Sequence, residues 1–194
     1  MAARTGLSTL ILRLRGMADA GTADYTLGAA VYWDDDQCQT VLDNYRMSIH
    51  GDRLVPYPEQ SAGSAIWLEY HSHFPNWEAT TGGTAVFVVR DSVGNIQGTA
   101  NYSVDYANGV VTFNSDQRGT AYFLTGISYD LNGAASDIWM QKAGQAAKLF
   151  AFSAGPHTLS RQQVYEHCIK MSDLFASRAL PVLSTILRGD EPRG

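Results

Sequence analysis

The chain has 194 residues, 45% of them hydrophobic, and a formal net charge of −5. That length suits one domain, or one domain with an inserted module, and the apolar share excludes a disordered chain. The acidic balance leaves no electrostatic footprint for nucleic-acid binding, and no apolar run approaches a membrane span.

Leu7, Leu10, Ile11, Leu14 and Met17 recur at helical spacing and predict a first amphipathic helix over roughly Thr5 to Ala18. Arg13 and Arg15 interrupt its apolar stretch, so the N-terminus does not read as a signal peptide. Gly21 and Thr22 end the segment, and TADYTLGAAVY reads as a loop. In WDDDQCQTVLDNYR, Cys38, Val41, Leu42 and Tyr45 form the stripe of a second helix. Asp34 stands at its N-cap with Gln37 three residues on, the pattern of a capping box. Asp35 and Asp36 then fall in the first turn, where the helix dipole favours negative charge. A metal site is the rival explanation of the acid triplet. Consecutive helical residues point about 100° apart, and the alternating ligands and glycine of a calcium loop are missing.

From Met47 to Ile127 the pattern turns to β. SAIWLEYH and TAVFVVRD read as strands, the second ending in a turn at SVGNIQ. NYSVDY and GVVTFN flank Asn108-Gly109, a strong hairpin signal, and GTAYFLTGI reads as a last strand. Pro56, Pro58 and Pro75 predict a looser first third. Helical periodicity returns in Leu131, Ala135, Ile138, Trp139, Ala146, Leu149 and Phe150, with alanines that allow close helix approach. Ser160 opens a second capping box with Gln163, followed by the stripe Val164, Cys168, Met171 and Phe175. Pro181 should interrupt that helix before the apolar VLSTIL and the polar RGDEPRG.

The expected fold is therefore α+β. A helical bundle is built from the N- and C-terminal segments, 1–46 and 128–194, and an antiparallel β module is inserted at 47–127. VLSTIL either docks on its own bundle or waits for a partner to cover it.

Little in the chain points to chemistry. Cys38 and Cys168 fit no metal spacing and read as buried thiols of a reducing compartment. Glu69, His71 and His73 alternate on a strand, so all three could face one way and bind zinc or iron. Four tryptophans and ten tyrosines could supply a sugar platform. No phosphate-binding loop, dinucleotide fingerprint, nucleophile elbow or zinc-protease motif is present. The expectation is a protein without catalysis, cofactor or resident metal.

Two stretches carry a family resemblance. In the second half, Tyr129 to Leu131 opens a helix, Ala134 to Trp139 forms its centre, and Lys142-Ala143, Phe152-Ser153 and Ser160 to Gln162 follow. In the first half, a Leu-Arg helix leads into Trp33 and the Asp34 to Gln37 box. This series resembles the head-to-tail adaptor (head-completion or connector) proteins of tailed bacteriophages. The turn reading Phe-Ser-Ala-Gly-Pro and the box Ser-Arg-Gln-Gln depart from the family pattern.

The resemblance implies a virion structural protein of the neck, assembled in the host cytoplasm as a homo-oligomeric ring, usually of twelve copies, below the portal. It implies the portal protein and other neck or tail proteins as partners. DNA passes through the channel without sequence-specific binding, and no membrane is involved. It assigns portal docking to the C-terminal segment, on Val182, Leu183, Ile186, Leu187, Arg188, Asp190, Glu191 and Arg193. A tail-completion or stopper protein of the neck is the neighbouring alternative. A β-module protein binding metal or carbohydrate is the alternative from another class.

Overall fold

A computed structural model describes residues 3–27, 29–61, 63–80, 86–149 and 161–180. A 3₁₀ turn (Thr5–Leu7) leads into α1 (Ser8–Ala18), a small hairpin of β1 (Tyr25–Leu27) and β2 (Ala30–Tyr32), and α2 (Asp35–Asn44). The strands β3 (Arg46–Ser61), β4 (Ser64–His71), β5 (Val88–Asp91), β6 (Tyr102–Asp105), β7 (Val110–Phe113) and β8 (Tyr122–Tyr129) follow. The chain returns to helix in α3 (Leu131–Leu149) and α4 (Arg161–Ala176).

The six long strands form one antiparallel sheet in the order β5-β8-β3-β4-β7-β6, curled into a half-barrel. β3 makes the curl. Its first half, Arg46 to Leu54, pairs with β8, and its second half, Val55 to Ser61, pairs with β4. The register shifts between Ile49 and Asp52, where Gly51 takes φ +65°. An extra residue there bends a strand, and glycine meets the positive φ without a Cβ clash. A second shift sits between Tyr57 and Glu59, around Pro58. Along Val55 to Ser61, β4 is the one neighbour among the described strands, so β3 has an open edge there. Proline donates no N–H, so Pro56 and Pro58 are tolerated at that edge and discourage a further strand from adding to it.

This architecture corrects the expected helical bundle with a projecting module. The half-barrel is the centre of the molecule, and the helices pack on it. α2 ends one residue before β3 begins, and β8 ends one residue before α3, so the sheet starts and finishes inside the helical layer. Ile127 and Tyr129 of β8 belong to the same buried cluster as Leu10, Leu14, Leu42, Ala134 and Ile138. From Gly126 to Tyr129 every residue of β8 is buried, because helices cover the face that the half-barrel does not. The Arg13 guanidinium on α1 donates to Ala107 O in the β6–β7 turn at 2.8 Å, tying helix to sheet directly. The physical reason is size. α1 and α2 span 11 and 10 residues, each too short to close a core with one stripe, and the sheet supplies the missing apolar surface.

The looser first third is corrected too, since Pro56 and Pro58 lie in the longest strand. So is the loop at TADYTLGAAVY, which contains the β1–β2 hairpin. A second core fills the half-barrel: Ile49, Leu54, Tyr70, Val89, Val111, Phe113, Tyr122 and Leu124, with Trp77 and Phe87 at one end. Phe113 stacks on Tyr122 at 4.5 Å, and Tyr70 meets both edge-on. The tryptophans and tyrosines proposed as a sugar platform are largely divided between the two cores, Trp33, Tyr129 and Trp139 in the first and Tyr70, Trp77, Tyr102 and Tyr122 in the second. Trp33, Trp77, Tyr70 and Tyr129 are among the largest fully buried side chains.

Candidate functional site

The stretches that carry the family resemblance meet at one junction. At its start, the Asp34 carboxylate accepts from the Gln37 N–H at 2.7 Å, and the Asp34 N–H donates to the Gln37 amide oxygen at 2.9 Å. Both halves of the capping box are present, and they orient α2. Asp35, next in the acid triplet, pairs with Arg15 of α1 at 2.7 Å. Tyr45 caps the end of α2, and its carbonyl accepts from the Asp130 N–H at 3.1 Å. The Tyr45 ring lies over Gly133, so close that a Cβ there would fall 2.4 Å from Cε1. Burial and the neighbouring Asp137 carboxylate push the Tyr45 phenol up to about 12.

Asp130 is the N-cap of α3. Its Oδ1 accepts from the N–H groups of Asn132 at 3.0 Å and Gly133 at 3.2 Å, satisfying two of the donors that a helix start leaves open. Its Oδ2 accepts from the Leu180 N–H at 2.8 Å, just beyond α4. The Asn132 side-chain amide donates to Arg178 O at 3.3 Å. One helical turn along α3, Ser136 and Ser172 exchange hydrogen bonds at 3.0 Å, and their small side chains let α3 and α4 pack closely. Further along, the Trp139 indole N–H donates to Met17 O at 3.2 Å. Lys142 pairs with Asp24 at 2.6 Å and lies over the Trp139 ring, holding the β1–β2 hairpin to α3.

A second network braces the same layer from the other side. Arg4 binds Asp43 of α2 through two nitrogens and reaches Glu78 at 3.1 Å and the Tyr129 hydroxyl at 3.0 Å. The Tyr129 O–H donates to Glu78 at 2.6 Å. Burial, reinforced by Glu78, holds the Tyr129 phenol well above its ordinary range, so it remains a donor. Glu78 is 6% exposed, a buried carboxylate made tolerable by these partners. Nothing in the local sequence around Glu78 or Arg4 marks this pairing, because the partners lie 74 residues apart.

The structure does not bring Glu69, His71 and His73 together. β4 ends at His71, so His73 lies past the strand and binds Asp52 at 3.2 Å. His71 stands 3.8 Å from Glu69. Among the described residues no group of three or more His, Cys, Asp or Glu side chains is placed to hold a metal ion. Cys38 and Cys168 are buried and unbridged, and burial raises both thiols. No described helix is long and apolar enough to cross a membrane.

Gln163 is exposed in the first turn of α4, and its expected cap partner Ser160 lies outside the described residues. The Phe152-Ser153 turn and all the docking residues, Val182, Leu183, Ile186, Leu187, Arg188, Asp190, Glu191 and Arg193, lie outside them as well. No protein-family model matches the chain, and neither a curated protein nor a solved structure does.

Proposed function

We propose that the chain is a virion structural subunit: a head-to-tail adaptor that forms a ring below the portal, extends the DNA channel and connects head to tail. The observation that carries this reading is the junction at Tyr45, Asp130 and Gly133. The helices that carry the two stretches are separated by the whole sheet in sequence, yet Tyr45, just beyond α2, bonds Asp130 and packs on Gly133 at the start of α3.

The mechanism is assembly. One interface between unlike surfaces, repeated around a closed axis, makes a ring. The half-barrel and the helical layer offer such unlike surfaces. Residues 181–194, which follow Leu180, supply the contact with the portal. A net charge of −5 suits a channel through which DNA slides, since dense Lys/Arg contacts to phosphate would retard it.

Electron microscopy of the purified protein, alone and added to portal-bearing capsids, tests the reading. A ring, or added density below the portal, is expected. A monomer that leaves the capsids unchanged would remove the proposal.

A further inference from the structure

Asp130 does more than start a helix. Any of Asn, Ser, Thr or Asp caps an N-terminus about equally well with one oxygen. Asp130 uses Oδ1 for that purpose, on Asn132 and Gly133, and commits Oδ2 to Leu180, fifty residues away. A carboxylate is the side chain that accepts at both oxygens, which is the chemical reason for Asp at this position.

The other end of the contact is equally defined. Beyond α4 the chain continues to wind: the N–H groups of Ser177, Arg178 and Ala179 find carbonyls of Asp173, Phe175 and Ala176. Leu180 has no such local acceptor, and its N–H goes to Asp130. Arg178 O is taken by the Asn132 side chain. Two hydrogen bonds from the first turn of α3 therefore hold the last residues before 181, and Asp130 itself is 7% exposed, shielded from competing water.

We propose that Asp130 is a positioning residue that fixes Leu180 against the first turn of α3, so that the C-terminal segment starts from a set point when it is presented to the portal. This rests on the reading of 181–194 as a portal-docking tail. Without the tether the exit would swing from the end of α4. Losing a hydrogen bond to a charged acceptor lowers the held-to-free ratio of the exit by roughly tenfold or more, and apparent affinity falls by up to the same factor.

Three variants test this. Asp130→Asn keeps a cap oxygen but turns a donor toward Leu180. Leu180→Pro removes the N–H and leaves Asp130 untouched. The third is the chain truncated after Leu180. Each is titrated onto portal-bearing capsids, with thermal unfolding as the check on folding. The two point variants should remain folded, with Tm lowered by a few degrees by the loss of a buried bond, and raise the half-saturating concentration by up to about tenfold. Combined, they should raise it no further, because they break the same bond. Amide exchange at Leu180 should quicken in Asp130→Asn, while exchange at Gly133 stays slow. Point variants that load like the wild type while the truncated chain fails would overturn the tether and leave the docking tail standing. A truncated chain that loads normally would remove the docking tail itself.

Discussion

Gly133 and Gly144 sit in the same helix and should respond oppositely to alanine. A Cβ at Gly133 would lie 2.4 Å from Tyr45 Cε1, 2.6 Å from Cδ1 and 3.0 Å from Asp130 Oδ2. Carbon atoms in good contact stand about 3.5–4.0 Å apart, so the ring must retreat by about 1 Å. It has little freedom to do so, because the Tyr45 carbonyl is bound to the Asp130 N–H and the phenol neighbours Asp137. Overpacking of this kind costs about 1–3 kcal/mol, and the helix-propensity gain of up to about 1 kcal/mol offsets part of it. Gly133→Ala should therefore lose about 1–2 kcal/mol, a fall in Tm of about 2–8 °C at this chain length. At Gly144 a Cβ would meet nothing within 4 Å among the described residues. Gly144→Ala should gain about 0.5–1 kcal/mol from propensity alone. Urea unfolding of both variants, with the slope unchanged, measures the difference. If Gly133→Ala proved as stabilising as Gly144→Ala, Tyr45 would not pack over Gly133, and the junction would lose its main contact.

Two further substitutions probe the braces around that junction. Asp34→Ala removes the side-chain half of the capping box and should cost about 1 kcal/mol, with faster amide exchange at Gln37; a variant as stable as the wild type would mean the box contributes nothing to α2. Tyr129→Phe deletes a buried donor to Glu78 and should cost about 2 kcal/mol in urea unfolding, whereas unchanged stability would mean that Arg4 alone satisfies Glu78.

What could be read from the chain was local. Asp34 and Gln37 are three residues apart, and one turn of helix brings them together whatever the rest of the fold does. Asn108-Gly109 made a turn for an equally local reason: Gly109 takes φ +75°, and the Asp105 carboxylate accepts from the N–H groups of Ala107 and Asn108. β3 was hidden because its outward positions, His50, Arg53 and Glu59, and its prolines lack a clean alternation; a bent strand with an open edge buries few residues. The β1–β2 hairpin was hidden because it is only three residues a side and draws its support from α3, through Lys142 and Asp24. His73 shows where a period-two rule fails. It assumes a strand two residues longer than β4, and past His71 the alternation no longer places side chains on one face. The bundle expectation failed for a related reason: periodicity identifies an apolar stripe but not the surface it packs against.

The long-range pairs were beyond such rules, and they are the ones that organise the molecule. Asp130 touches three elements at once: its N–H meets the end of α2, one oxygen starts α3, and the other holds the exit from α4. β3 leaves this point immediately after Tyr45, and β8 returns to it at Tyr129. Leu180, the α3 cap, Tyr45 and the first residues of β3 and the last of β8 are thus joined at one residue. Asp130 therefore links the turn after α4 to the roots of β3 and β8 through one side chain and its own N–H.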